Sequence, residues 1–393
     1  MNLRARLDAA LYRLKELVRA ASKARGICVD IHGPEKHSGT VLTLRYIGSG
    51  HGLNYWIDQI FGEPCKELAR SHIPLWHLGR AAENPPSGTD LLLCDLPWPY
   101  YHLHRGVFWR MPGWILQKTR LAPVWEDVVA GFRKNTRSTD LRKVRKYGLS
   151  YRITSDPEQL ALFHDTLFEP YTRQRFGHLI NGDTREDIIH FGVHEGVLLQ
   201  VMCGDDWVAG VVLSHWQDEM HFLWLGLPDG LERGLADAAL SGIYLFSLQY
   251  AHAQGCADMD FSLTRPLISN GIYHYKRKWG ARLIDDWPQA EFHWQFLTLS
   301  PAVRSFLAEH PMILREQGNL VAYHWAEGHT TPDTLLRLGE QGYSEGLAVY
   351  RMLLPEGLNT GEPGQPLPDW LRLHLLSETS SPLQRLHAPF RDD

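Results

Sequence analysis

Tyr273 and Lys276 stand in Gly271-Ile272-Tyr273-His274-Tyr275-Lys276-Arg277-Lys278-Trp279-Gly280, shortly after Asp258-Met259-Asp260-Phe261. These side chains can hold an anion and move a proton. A lysine ammonium can hold a phosphate or carboxylate, or steady a developing oxyanion. A tyrosine hydroxyl, with an ordinary pKa near ~10, can give a proton to a leaving group. A carboxylate closing a strand, such as Asp260, can orient or deprotonate an amine, and strand alternation puts Asp258 on the same face. Arg265, in the following loop, is placed to contact an anion. Each group also has a plainer role. Lys276 can be a solvated cation beside Arg277 and Lys278, Tyr273 and Tyr275 can pack on a sheet, and Asp260 can cap a turn.

Other groups widen the candidate site. Phe168-Glu169-Pro170-Tyr171-Thr172-Arg173-Gln174-Arg175 closes a helix and offers Glu169, Tyr171, Arg173 and Arg175, or an ordinary surface ion pair. Gly230, Gly234 and Ala236, with Arg233, lie where a strand passes into a helix; small residues there let a group approach the backbone. A helix start presents unpaired N–H groups and suits a phosphate, although plain turn chemistry uses the same residues. His102 and His104 share a strand face, but no third ligand at suitable spacing completes them, so no metal site is expected. Gly48-Ser49-Gly50-His51-Gly52 lacks the Lys-Ser/Thr of a phosphate-binding loop, and no Gly-x-Ser-x-Gly marks a serine hydrolase.

The elements around these residues alternate. Residues 3–21 carry Leu3, Leu7, Leu11, Leu14, Leu17 and Val18 at helical spacing. Strands are expected at 26–33, 40–48 and 90–97, with a helix over 53–72 between the second and third. A basic helix over 130–147 leads to the strand Leu149–Thr154, and a helix capped by Ser155 or Asp156 follows, with Pro157 at its start. Three apolar strands then form a meander through Gly-Asp-Asp and Gln-Asp-Glu turns. A long helix near 234–253 ends at Gly255, and a strand, the lysine-bearing helix and a last β pair complete the run. The expected architecture is α/β: an N-terminal amphipathic helix (1–25), a first domain (26–128), a second domain with the site (129–295), a small appendage (296–354), and a linker and tail (355–393).

A chain of 393 residues with 44% hydrophobic and 22% charged residues is an ordinary globular protein of two or three domains. No run nears the ~20 apolar residues of a membrane helix, and the charged N-terminus is unlike a secretory signal. Five scattered cysteines suggest free thiols in a reducing compartment, with the cytoplasm expected. A net charge of −5 argues against a dedicated nucleic-acid binder. Yet Arg133, Lys134, Arg137, Arg142, Lys143, Arg145 and Lys146 face one acid, Asp140. That run is a solvated helix face or an anion-binding surface.

Together these stretches resemble the GNAT acyltransferase superfamily. Leu231-Glu232-Arg233-Gly234-Leu235-Ala236 is similar to its [Gln/Arg]-x-x-Gly-x-[Gly/Ala] turn, with Leu231 where Gln or Arg belongs. Gly271, Ile272, Tyr275, Lys276, Trp279 and Gly280 resemble the Fem-like branch, whose helix reads Gly-aliphatic-x-x-aromatic-Lys-x-x-aromatic-Gly. The likeness covers about 130–285. It implies two tandem GNAT-like domains, the first degenerate, with mixed, mainly antiparallel sheets flanked by helices. It also implies an acyl- or aminoacyltransferase acting on an amine acceptor by direct attack, with no tightly bound cofactor. The co-substrate would be acyl-coenzyme A or aminoacyl-tRNA, making transfer RNA one expected partner. Backbone donors would come from Leu223 to Leu227, and Leu225, Gly226, Leu227, Arg233, Gly234 and Ala236 would meet the acyl carrier. Lys276, Tyr273 and Asp260 would assist the chemistry, and Glu169, Tyr171, Arg173, Arg265 and Tyr275 would contact substrate. The rival expectation is a catalytically dead GNAT-fold scaffold.

Overall fold

The structure, a computed structural model, describes residues 25–50, 52–74, 81–82, 84–96, 109–177, 183–285, 291–326, 331–355 and 367–376. The stretch 3–21, the pair His102 and His104, and most of the expected linker and tail lie outside these residues. The chain divides into two compact units, Met1–Ile115 with Arg265–Tyr273 and Asp285–Asp393, and Leu116–Thr264 with His274–Ile284. Strands β1–β5 span Arg25–Pro34, Val41–Gly48, Lys66–Pro74, Leu91–Leu96 and Trp109–Pro112. Strands β6–β12 span Ile115–Arg120, Leu149–Thr154, Val197–Cys203, Asp206–Trp216, Glu219–Gly226, Asp258–Thr264 and Arg282–Ile284. Strands β13–β17 span Glu291–Phe296, Met312–Glu316, Asn319–Trp325, Leu347–Pro355 and Leu371–Leu376. The fold is α/β, with mixed sheets of six, seven and four strands.

In the first unit the six-stranded sheet runs β3-β1-β2-β4-β13-β5 and the four-stranded sheet runs β14-β15-β16-β17. Alternation sends Val29, Ile31, Leu42, Leu44 and Tyr46 into a core shared with Trp56, Trp109, Trp294 and Phe306. The helix Leu53–Ile60 turns Leu53, Trp56 and Ile60 inward. It stops far short of the expected end at 72. Gly62 and Pro64 interrupt it, and residues 66–74 instead form β3, paired with β1 through Val29↔Arg70. The expected last β pair also separates. Leu283 of β12 pairs with Gln117, whereas Phe292 of β13 pairs with Asp95 and Met111.

In the second unit the sheet runs β12-β6-β11-β10-β9-β8-β7. The meander β8-β9-β10 forms as its turns require, with Gly204 at φ 60 where L side chains are strained. The helix Arg233–Ala253 packs on the face carrying Met220, Phe222, Met259 and Phe261, and Gly255 at φ 76 follows its end. On β8 and β9, Leu198 and Val212 pack against Leu160, Phe163 and Ile188 of two further helices. The expected helix after Ser155 is capped by Asp156 and opens into a π-turn over His164–Phe168. Gly226 explains its seat. A Cβ there would lie 2.4 Å from the carbonyl carbon of Leu167, so only glycine lets the turn pack on β10. The basic run likewise holds a π-turn, Thr136–Asp140, leading into the helix Leu141–Lys146.

Candidate active site

Three neighbouring strands of the second unit carry a row of ionisable groups on the face away from Met259 and Phe261. Lys118 comes from β6, Asp260 from β11, and Glu219 and His221 from β10. Parallel pairing of β10 with β11 sets Glu219 beside Asp258 and His221 beside Asp260. Lys118 Nζ lies 2.7 Å from both Glu219 carboxylate oxygens and 3.6 Å from Asp260 Oδ2. His221 Nδ1 lies 3.5 Å from Asp260 Oδ2 and His221 Nε2 lies 3.9 Å from Glu219 Oε2. Burial raises the Asp260 carboxyl, but His221, Lys118 and the Ser262 N–H together outweigh it and hold the group below the usual carboxylate range. Burial likewise lowers the Lys118 ammonium, and Asp260 and Glu219 more than reverse it. One ligand-type atom each from Glu219, His221 and Asp260 lie within 4.8 Å of one another. The Lys118 ammonium already stands among them as the compensating cation.

The two strands pair only from Glu219↔Asp258 to His221↔Asp260, although β10 continues to Gly226 and β11 to Thr264. On its other edge β10 shifts register against β9 between Phe222 and Leu225. The β10 backbone around Leu223 and Trp224 thus leaves regular pairing beside Asp260 and His221.

Behind this row sits Lys276, 5% exposed. Its Nζ donates to Ser262 O at 3.1 Å, Leu263 O at 2.8 Å and Thr264 Oγ1 at 2.9 Å. Thr264 Oγ1 in turn donates to Gln117 Oε1 at 2.8 Å. Burial pushes the amine down to about 7, with Asp260 pulling it upward. Ser262 has φ 65, a left-handed conformation, and its N–H donates to Asp260 Oδ1 at 2.7 Å. The peptide groups around Ser262 are therefore gripped from two sides, by Asp260 at the N–H and Lys276 at the carbonyl.

The remaining expected residues take other places. Tyr273 is fully buried and its hydroxyl donates to Gly342 O at 2.8 Å, so a proton-donating role gives way to packing. Tyr275 turns to the Arg233–Ala253 helix, with Tyr244 at 4.9 Å between ring centroids, Ser241 Oγ at 3.4 Å, and Lys278 Nζ 3.7 Å over its ring. Burial raises its hydroxyl well above the usual range, despite Ser241. Glu169 and Arg173 form an exposed ion pair one helical turn apart, and Tyr171 accepts a bond from Arg175 at 2.8 Å. Leu225 and Gly226 pair with Val211 and Gly210, and Leu227 is buried. Arg233 is exposed and Ala236 is half-buried at the helix start. There Glu232 folds back so that its carboxylate accepts from the N–H groups of Gly234 at 2.8 Å and Leu235 at 3.0 Å. These two amides and the Tyr147 hydroxyl, at 3.2 Å, help keep the Glu232 carboxyl below its ordinary range. The amides suited to a carrier phosphate are thus held by a side chain of the protein. The sequence reading missed Lys118, Glu219 and His221. The available signal was period two: His221 alternates with Met220 and Phe222, which face the core.

Residues 130–277 match the sequence profile of the acetyltransferase (GNAT) domain. Among solved structures the chain is similar to FemX, at 13% identity over 75% of this chain and 96% of that one, with a TM-score of 0.37. L-PGS from Bacillus licheniformis shares 10% identity over 70% and 86% of the two chains, with a TM-score of 0.33. A GCN5-related N-acetyltransferase from Kribbella flavida shares 13% identity over 79% and 67%, with a TM-score of 0.27. No curated protein matches the chain by sequence. The profile match places an acetyltransferase (GNAT) domain at residues 130–277.

Proposed function

We propose that the chain is an N-acyltransferase that moves an acyl or aminoacyl group from a thioester or ester carrier to an amine. The observation that carries this reading is the parting of β10 from β11 directly beyond His221 and Asp260. It leaves the β10 amides at Leu223–Leu227 past the end of the parallel ladder, beside a base and a carboxylate. The amine lone pair attacks the carbonyl carbon. The C–N bond forms, the carrier's C–S or C–O bond breaks, and amides on β10 meet the oxyanion. His221 takes the proton from the amine and passes it to the departing thiolate or alkoxide, and Asp260 orients its ring. Lys276 acts from behind, holding the end of β11 against Asp260, because its N–H groups already meet three acceptors.

Two observations favour a large anionic donor such as aminoacyl-tRNA over coenzyme A. Glu232 occupies the amides that a coenzyme A pyrophosphate would use. Lys134, Arg137, Arg142, Arg145 and Lys146 lie exposed around the short helix beside it. Incubating the protein with labelled aminoacyl-tRNA and, separately, with labelled acyl-coenzyme A, each with a panel of amines, tests the proposal. Transfer from the tRNA ester, with donor binding that falls steeply as salt rises, is the expected result. Transfer from coenzyme A alone would replace the donor assignment. Transfer from neither by folded protein would leave the scaffold reading in its place.

A further inference from the structure

Arg265 has a charge that the protein does not answer. It belongs to the first unit and is one of the most enclosed cations there. Its Cζ lies 3.7 Å from the ring centroid of Trp114 and 4.5 Å from that of Tyr55, so the guanidinium is stacked between aromatic groups. Nη1 donates to Gly113 O at 3.2 Å. Among the described residues it makes no other hydrogen bond and no ion pair. Asp95 is felt only at a distance, and its Oδ2 already accepts from Tyr46 at 2.6 Å and Ser49 at 2.9 Å. The Nε atoms of Arg277, Arg282, Arg304 and Arg351 are sealed from solvent, whereas Nε and Nη2 of Arg265, which make no hydrogen bond among the described residues, are not. The Tyr55 hydroxyl nearby is buried without a full hydrogen bond.

A guanidinium has five N–H groups in a flat fork, and the Nε–Nη2 edge matches a pair of coplanar oxygens. Stacking on aromatic faces fixes the plane of that fork and holds the cation in place. Taking the charge out of water without a counter-ion is costly, and burial does lower the Arg265 pKa. A cation that is preorganised, desolvated and still open to solvent on its unused edge is a site that lacks its anion.

We propose that Arg265, floored by Trp114 and flanked by Tyr55, is the binding site for an anionic group with two coplanar oxygens, a carboxylate or a phosphate. It rests on the transferase reading only in making the bearer of that group a substrate; anion binding itself needs no turnover. Isothermal titration calorimetry and thermal melting on the full chain test it, with phenylacetate and phenyl phosphate as probes and benzyl alcohol as the neutral control. Arg265→Met keeps the aliphatic stem between the rings and removes the charge. Arg265→Lys keeps the charge and removes the fork.

One anion is expected to bind and raise the melting temperature, and which one does so assigns the group. Both variants should lose about tenfold or more in affinity. Without probe, Arg265→Met should melt no lower than wild type, because an unanswered charge has gone. No heat and no melting shift with either anion up to about 10 mM would overturn the site, as would undiminished binding by Arg265→Met. If Arg265-dependent binding appears while no amine is ever acylated, the site stands and the transferase reading falls. If acyl transfer proceeds with the same KM in Arg265→Met, the transferase reading stands and the assignment of the anion's bearer as its substrate falls.

Discussion

Replacing Lys276 with methionine removes a titrating group from the inside of the second unit. Burial lowers this amine from an ordinary 10.5 to about 7, opposed by Asp260. It is 5% exposed, so water screens it little. A difference of about 3.5 in pKa corresponds to roughly 5 kcal/mol. The unfolded chain keeps the proton up to about pH 10.5, whereas the folded chain releases it near 7. Between those values the unfolded state binds more protons, so stability rises with pH. Below 7 the folded state carries the whole burden of the buried ammonium, and above 10.5 it carries none. From about pH 6 to about pH 9 the wild type should therefore gain roughly 2.5 kcal/mol relative to Lys276→Met. The variant has its own penalty, because Ser262 O, Leu263 O and Thr264 Oγ1 lose a donor. A buried acceptor left unpaired costs roughly 1–3 kcal/mol, and that loss does not depend on pH. It displaces the variant's stability curve without tilting it. Urea unfolding followed by circular dichroism across this pH range measures both effects. Parallel curves for the two proteins would refute the reasoning, for they would mean that the ammonium keeps its ordinary pKa inside the fold.

Gly226→Ala should destabilise the second unit by about 3 kcal/mol or more, because the new methyl meets the Leu167–Phe168 backbone rather than a side chain that can swing away; urea unfolding at neutral pH reads it. Glu232→Ala frees the Gly234 and Leu235 amides and removes a negative charge from the helix start. Binding of acyl-coenzyme A, measured by calorimetry, should strengthen roughly fivefold, with a small loss of thermal stability from the missing cap. Asp260→Asn leaves the His221 ring without its carboxylate and should lower kcat/KM about a hundredfold for whichever donor proves active. The depressed Asp260 carboxyl also stabilises the fold at neutral pH and loses that contribution as pH falls through its folded pKa. Asp260→Asn should accordingly flatten the acid side of the stability curve.

Most of the second unit could be read from local pattern. The meander β8-β9-β10 alternates and has turn residues at each end, and the helix Arg233–Ala253 shows helical spacing and a glycine beyond its end. The first unit was harder. Residues 53–72 have helical spacing throughout, and what stops the helix at Ile60 is a proline together with the edge of β1, which takes up residues 66–74. Propensity cannot register a partner strand as far away as Val29 is from Arg70 in the chain. The site divides in the same way. Asp260 and Lys276 fall within one short stretch and were visible together. Lys118 meets Asp260 only because β6 lies next to β11 in the sheet, and sequence order does not announce that neighbour. His221 was hidden among apolar residues, and only the face it takes on β10 separates it from them. At the helix start the glycines were legible, but the side chain that would occupy its amides was not. Glutamate is not among the preferred caps.

Ser262 ties these observations together. A serine held at φ 65 gives up roughly 1–2 kcal/mol against ordinary backbone, and strain of this kind persists only where the surroundings over-determine it. The grip comes from two opposite charges. Asp260 holds the N–H and Lys276 holds the carbonyl, each buried and neither paired directly with the other. A simpler end to β11 would need no strain and no buried ammonium, and apolar residues of similar size would pack there at lower cost. What the charged arrangement does is fix the Asp260 carboxylate so that its second oxygen faces His221 and Lys118, at the level where β10 and β11 cease to pair. A fold that only had to be stable would gain nothing from this. In the proposed transfer the arrangement sets a carboxylate and a ring beside the β10 backbone at Leu223 and Trp224, where regular pairing ends.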